Sequence, residues 1–261
     1  MEYTVLASGS TGNCSVITAD GTAVLLDAGI SLRRISGMLR GLGLEIGDVA
    51  AVLVTHEHSD HVGALPMLSK YFHIPVYATP GICDALRRIY PAVAGDLRYI
   101  GPDGELSFGT LRVRAFATSH DAAESTGYRF DHEGRSMVYA TDTGVVTGDT
   151  VLAARGCDLA VLEANHDVEM LRRGPYPYVL KQRILSDRGH LSNESCGAFA
   201  AQLVSNGTRR LILAHLSQEN NAPSVARRTV EEAIREAGAA PGVDVALEVA
   251  PVLGPLGPFE V

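Results

Sequence analysis

The chain has 261 residues, 46% of them hydrophobic and 20% charged, a balance that supports a sizeable buried core and excludes global disorder. Its formal net charge of -8 argues against a broadly basic nucleic-acid surface, though not against a basic patch beside a bound cation. No apolar run approaches the roughly 20 residues of a membrane helix, residues 1–6 lack the features of a secretory signal, and Cys14, Cys83, Cys157 and Cys196, with no C-x-x-C pair, read as free thiols of a cytoplasmic protein.

In chain order, residues 1–7 alternate apolar and polar and break at Ser8-Gly9-Ser10-Thr11-Gly12-Asn13. Residues 14–18 and 22–26 read as two short strands joined by the turn Ala19-Asp20-Gly21. Asp27-Ala28-Gly29 ends the second, and Ser31 is placed to cap a helix running to about residue 42. A buried strand is expected over 50–55, a helix over 62–71, a short strand over 75–78, and a helix to about residue 90 with Pro80 in its first turn. The middle reads as β, with strands over 97–100, 105–108, 111–117, 126–130 and 136–141. A second mixed half follows: a helix over 145–154, a strand over 159–163, a helix over 192–204 capped by Ser192, and a strand over 210–214. An amphipathic helix over 223–236 and a strand over 244–249 precede a Pro/Gly-rich tail. No repeat or flexible linker interrupts the chain. The pattern predicts a single domain of two sheets packed face to face with helices outside.

Chemistry concentrates in Thr55-His56-Glu57-His58-Ser59-Asp60-His61, which holds three of the nine histidines directly after a buried strand. On a strand end or tight loop, residues two apart point the same way, so His56 and His58 can grip one ion. Asp60 and His61 follow where the chain turns into a helix and can reach a second. Imidazole plus carboxylate sets of this kind suit zinc and manganese. Four later β-like runs also end in ligand-type residues: His120 with Asp121, Asp142, His166 with Asp167, and His215. Taken singly, each is as readily a cap or a hydrogen-bonded core residue; strand ends are also where layered α/β proteins gather their active sites.

The order His-x-His-x-Asp-His, then His, Asp and His, each after a strand, resembles the metallo-β-lactamase superfamily across nearly the whole chain. That resemblance implies a four-layer α/β (αββα) sandwich with a dinuclear metal site at one edge. By position, His56, His58 and His120 would hold one ion, Asp60, His61 and His215 the other, and Asp142 would bridge them, while Asp27 would orient the site. A bridging carboxylate suits two-metal hydrolysis with ions roughly 3.5–4 Å apart, and leaves Zn2+ and Mn2+ equally open. Ser8 to Cys14, Asp27-Ala28-Gly29, Ala164-Asn165-His166-Asp167 and Gly189-His190-Leu191-Ser192-Asn193 further resemble a bacterial subgroup, the YycJ (WalJ) proteins, associated with exonuclease-type DNA hydrolysis. The exosite insertion of tRNase Z and the cap domain of larger nucleases of this fold are not visible.

The resemblance implies two divalent ions activating a shared water for in-line attack on phosphorus. Asp60 is the ligand placed to orient that water. His190 is the candidate for protonating the leaving oxygen or holding a phosphate, with Gly189 leaving the backbone open; packing beside the Ser192-capped helix is the alternative. His166 reads as a pocket or ligand-supporting residue. Ser8, Ser10, Thr11 and Asn13 can present hydroxyls and amides to a phosphate, or simply make the turn. Arg172, Arg173, Lys181, Arg183 and Arg188 offer a DNA-backbone contact or a solvated helix face. With no Trp and 6% aromatics, a large base-stacking platform is not expected. The competing functions are a thioester or small-ester hydrolase resembling glyoxalase II, a promiscuous β-lactamase, and a metal-bound scaffold without turnover.

Overall fold

The structure is a computed structural model that describes residues 1–101 and 104–261. The first half contains β1 (Glu2–Ala7), β2 (Cys14–Ala19), β3 (Thr22–Leu26), α1 (Leu32–Gly41), β4 (Val49–Leu53), α2 (Ser59–Val62), α3 (Leu65–Phe72), β5 (Val76–Ala78), α4 (Pro80–Ile89) and β6 (Leu97–Tyr99). The second contains β7 (Glu105–Phe108), β8 (Leu111–Ala117), β9 (Thr126–His132), β10 (Arg135–Ala140), α5 (Gly148–Ala154), β11 (Leu159–Glu163), α6 (Val168–Arg173), α7 (Tyr178–Ile184), α8 (Asn193–Ser205), β12 (Arg210–Ala214), α9 (Pro223–Glu236), β13 (Ala246–Val249) and β14 (Leu256–Glu260).

Among the described residues the strands form two seven-stranded sheets, ordered β14-β1-β2-β3-β4-β5-β6 and β13-β12-β11-β10-β9-β8-β7. Each begins as an antiparallel meander and continues as parallel strands joined through helices. The composition of the strands follows from that position. β3, β4, β11 and β12 are near-continuous apolar runs because both of their faces are covered. β8 alternates instead, with Arg112 and Arg114 outward and Leu111 and Val113 inward.

Tyr3, Ile17, Leu26, Leu53, Val113, Tyr128, Phe130, Val161 and Ile212 fill the space between the sheets. The other face of the first sheet packs on Ile35 and Leu39 of α1, Leu68 of α3 and Leu86 of α4. That of the second packs on Ala154 of α5, Phe199 of α8 and Val230 of α9. The result is the expected αββα sandwich. Register brings the strand ends level: Leu26 opposes Leu53, Ala140 opposes Leu162, and Glu163 opposes Ala214.

Three expectations change. The helix expected over 62–71 is two pieces, α2 and α3, separated at Gly63-Ala64, with Pro66 in the first turn of the second. The helix expected to begin at 145 begins at Gly148, where the Thr147 hydroxyl accepts from Thr150 N at 3.1 Å. The Pro/Gly-rich tail contains β14, which pairs antiparallel with β1 at the sheet edge. Proline lacks the donor a central strand needs, and only an edge strand has a side where that does not matter.

One crossing fixes the site's frame. The Gly29 amide donates to Asn13 O and the Asn13 amide to Asp60 O, so the turns after β1 and β3 are stitched to α2. A Cβ at Gly29 would overlap the Asp60 carbonyl. Gly29→Ala is therefore expected to lower unfolding stability by at least ~2 kcal/mol, because backbone rather than a flexible side chain has to move. A urea midpoint unchanged from the parent would refute that close packing.

Candidate metal centre

Six strands deliver polar side chains to one edge. Asp27 follows β3; His56, His58, Asp60 and His61 follow β4; His120 follows β8; Asp142 follows β10; Glu163 ends β11; and His215 follows β12. Asp27, Asp142 and His215 have φ of 58°, 53° and 57°. Asp and His tolerate this left-handed region better than most residues, but holding it still costs about 1–3 kcal/mol per residue, so the surrounding contacts must enforce it.

The sets expected for two cations are brought together. Ligand atoms of His56, His58 and His120 lie within 4.8 Å of one another, as do those of Asp60, His61 and His215. Asp142 belongs to a third such group with His56 and His61, and to a fourth with Glu163, His190 and His215, so it lies between the first two.

Four of the five imidazoles in these two sets are aimed by an oxygen on Nδ1. His56 Nδ1 meets Thr55 Oγ1 at 3.0 Å, His61 Nδ1 meets Asp27 Oδ2 at 2.7 Å, His120 Nδ1 meets Gly189 O at 2.9 Å and His215 Nδ1 meets Glu163 Oε1 at 2.9 Å. Those partners assign the proton to Nδ1 and leave Nε2 as the free donor atom. His56 Nε2, His120 Nε2, His215 Nε2 and Asp142 Oδ2 are buried without a hydrogen-bond partner among the described residues. An orphaned buried polar atom costs about 1–3 kcal/mol, so four gathered at this edge match cation binding rather than an apolar core. The donor set, imidazole nitrogens with hard carboxylate oxygens, fits zinc or manganese.

Electrostatics agree. Burial, reinforced by His61, His120 and His58, holds His56 well below the ordinary imidazole value, and burial likewise lowers His120. Both therefore stay neutral, the form that binds a cation. Burial opposes charge on His61 and His215 as well, but there the carboxylates win. Asp142 and Asp27 hold His61 well above its usual value, and Asp142, Asp60 and Glu163 push His215 up to about 10. Those two protons offset the crowd of buried carboxylates, a role that a divalent cation fills more completely.

Glu163 was missing from the expected set. It is fully buried; Oε1 accepts from His190 Nδ1 at 2.8 Å and from His215 Nδ1, while Oε2 accepts from Thr143 N at 2.9 Å and Leu191 N at 3.1 Å. One carboxylate thus aims two imidazoles and fixes the loop that carries Asp142. Its sequence signal is a single acid closing the apolar run Leu159 to Leu162, since a carboxylate buried there must have partners.

Other expectations divide. Asp27, expected to orient the site, lies behind His61 and also accepts from Thr55 N and Oγ1, both at 2.9 Å. Ser8 Oγ accepts from His215 N at 2.8 Å, and Asn13 bonds to both backbone groups of Gly9 and approaches His61 Nε2 at 2.9 Å. These two hold the scaffold. Ser10 borders the open cleft, whereas Thr11 is exposed and meets Gln218 at 3.5 Å. His190 borders the cleft, but His166 is buried, with neither ring nitrogen partnered and outside the cleft lining. Gly189 approaches not a ligand but the Ile184 carbonyl, which a Cβ would overlap, and its own carbonyl aims His120.

The basic segment is not one patch. Arg172 and Arg173 pair with Glu169 at 3.2 and 3.1 Å, Lys181 Nζ donates to Arg172 O at 2.8 Å, and Arg188 donates to His120 O at 3.0 Å. Arg183 alone of the five borders the cleft. That cleft, about 250 Å³, is also bounded by Tyr176, Leu180 and Ile184, to which no role attaches from sequence.

Comparison with known proteins gives the site its context. The model of the beta-lactamase superfamily domain matches residues 22–216. Exodeoxyribonuclease YycJ of Bacillus anthracis is 39% identical over 250 residues, 95% of this chain and 94% of the relative. Exodeoxyribonuclease WalJ of Streptococcus pneumoniae is 37% identical over 246 residues, 93% of this chain and 91% of the relative. Among solved structures, the metallo-beta-lactamase fold protein YhfI of Bacillus subtilis superposes with a TM-score of 0.72 at 17% identity, covering 98% of this chain and 99% of that one. Sequence, topology and the arrangement of strand ends converge, and the chain belongs to the metallo-β-lactamase superfamily, in the branch that contains YycJ and WalJ.

Proposed function

We propose that the chain is a metal-dependent exodeoxyribonuclease that hydrolyses phosphodiester bonds at a DNA end, in one domain spanning residues 1–261. Near full-length similarity to two exodeoxyribonucleases is the observation that carries the reading. The converging orphaned donors make it chemically feasible. In this reading His56, His58 and His120 hold one zinc or manganese ion, Asp60, His61 and His215 hold a second, and Asp142 lies between them. Two such ions supply hydroxide near neutral pH and neutralise charge that develops on the phosphate.

The chain's own residues do the rest. Asp60 is tied through its carbonyl to Asn13 N and keeps its carboxylate at the cleft rim, where it orients the attacking water. His190 is the proton donor. Its Nδ1 is committed to Glu163, which leaves Nε2 as the ring nitrogen free to pass a proton to the leaving oxygen, and the residue borders the cleft. Once the leaving oxygen takes that proton, the neutral ring keeps its orientation through the same hydrogen bond. Arg183, at the rim, meets the phosphate backbone. Four buried thiols suit the reducing cytosol in which a chromosomal substrate would be met, and no helix among the described residues is long and apolar enough to cross a membrane.

Metal and proton roles separate experimentally. Zn2+ or Mn2+ added to chelator-stripped protein is expected to raise Tm, since a ligand at 100 times its Kd stabilises by about 2.7 kcal/mol per site. Asp142→Ala should lose most of that shift and at least ~100-fold of the activity together. An Asp142→Ala protein that keeps two ions and full activity would show the central assignment to be wrong. His190→Ala should keep the metal-induced shift while kcat falls about 100-fold or more; equal metal loss in both variants would remove His190 from proton transfer. Release of end label from linear duplex DNA should also weaken steeply as salt rises, because phosphate contacts release counterions. Salt-indifferent turnover would instead favour a small ester.

A further inference from the structure

The cleft has two unlike walls. His58, Asp60, Asp142, His190 and His215 form the polar one, and the segment joining α6 to the end of α7 forms the other with Tyr176, Leu180 and Ile184, Arg183 standing beside them. At about 250 Å³ the space is on the scale of one nucleotide. A polar, cation-type wall facing an aromatic and aliphatic one is the complement of a phosphate joined to a base.

The apolar wall is built to stay in place. Tyr176 lies between Pro175 and Pro177: each proline locks its own φ, and Pro177 restricts Tyr176 to extended conformations. Gly174 packs so closely on Asn220 that a Cβ would overlap its Oδ1, which pins the start of the turn. Lys181 Nζ donates to Arg172 O, tying α7 back to α6, and Arg183 Nε pairs with Asp121, the residue after His120. The first turn of α7 leaves Tyr178 and Val179 exposed at 74% and 79%, which continues the apolar character beyond the cleft. An ordered ring loses little conformational freedom when a base stacks on it.

We propose that the terminal nucleotide of the attacked strand enters this cleft unpaired, its base stacked on Tyr176 and packed against Leu180, its phosphate toward Asp60, Asp142 and Arg183. The inference rests on the exonuclease reading and adds the step that reading lacks: what holds the nucleotide being removed. Stacking is tolerant of base identity, so an aromatic wall grips any nucleotide without reading sequence. The terminal pair opens before hydrolysis in this arrangement, because a base stacked on Tyr176 has left its pairing partner.

The test compares kcat/KM with Mn2+ on linear duplexes whose terminal nucleotide, at the end attacked, is paired, mismatched or abasic. For the parent protein, a terminal mismatch is expected to raise kcat/KM at least about threefold and loss of the base to lower it about tenfold, in keeping with the usual effect of removing one base–aromatic stack. Tyr176→Ala should bring base-bearing and abasic ends to within about twofold of each other, while Tyr176→Phe keeps the discrimination. Leu180→Ala, read the same way, covers the case in which Tyr176→Ala fails to fold. A tenfold penalty that survives Tyr176→Ala, or a parent protein indifferent to the base, overturns the stacking role. Equal rates on paired and mismatched ends overturn unpaired entry. If the metal-loaded protein releases nucleotides from none of these ends, the exonuclease reading fails and this inference with it; release that ignores the base leaves the nuclease standing and removes only the inference.

Discussion

The grip of Asp27 on Thr55 and His61 is the contact on which the rest of the site depends. Its carboxylate is fully buried, taken out of water at considerable cost, and offsets part of that cost by accepting the Thr55 amide, the Thr55 hydroxyl and the His61 imidazole. Those hydrogen bonds tie the end of β3 to the end of β4 and to α2, so three elements move as one. Thr55 in turn touches His56 Nδ1. One buried charge thereby sets the direction of two imidazoles in the same loop, which is more than a single ligand can do for itself.

The second sheet repeats the device with Glu163. Asp27 orders His61 and, through Thr55, His56 from the first sheet; Glu163 orders His215 and the loop carrying Asp142 from the second; and Asp142 lies where the two sets meet. Ion geometry thus depends on how the sheets sit against each other. Contacts at the site's edge hold that relation: Thr126 N donates to Thr55 O at 2.9 Å, Tyr128 Oη to Val54 O at 2.7 Å, and His215 N to Ser8 Oγ at 2.8 Å. Each crosses from one sheet's strand ends to the other's. The four-layer core around Tyr128 and Phe130 is accordingly part of the catalytic apparatus, because a shift of the sheets by a fraction of an ångström would separate the ligand sets.

What was legible in the sequence follows from what each signal encodes. Apolar runs closed by a ligand-type residue give strand ends, and the parallel strands β4 and β12 stand where such runs are, with His56 and His215 beyond them. The positions gathered at one edge are those with distinctive side chains close behind a strand. Glu163 was illegible as a functional group because an acid at a strand end ordinarily faces solvent; only the pairing of β11 with β10 and β12 buries it. Ser8 and Asn13 carried the right chemistry for a phosphate loop, yet the partners that tie them to the site, His215 and His61, lie more than forty residues away in sequence, where no local pattern reaches. β14 hid because Gly257 and Pro258 read as a tail, and only the open edge of β1 makes them acceptable in a strand. Pro175-Tyr176-Pro177 drew no reading at all, because its rigidity is local but what it faces is not.

A net charge of -8 on a protein that works on a polyanion is less of a contradiction than it looks. Non-specific binding along DNA needs an extended basic surface, since each neutralised phosphate adds a released counterion. Attack at an end needs only enough positive charge, gathered in one place, to hold one or two phosphates. Bound divalent metal and Arg183, itself paired with Asp121, would concentrate that charge at a single cleft, while the other cations of the basic segment are spent on Glu169 and on backbone carbonyls. The acidic remainder of the chain adds no comparable grip along the sides of a duplex. Charge able to hold a phosphate is therefore gathered where the ligand-type residues and Arg183 border one cleft, and net acidity elsewhere leaves that local grip intact.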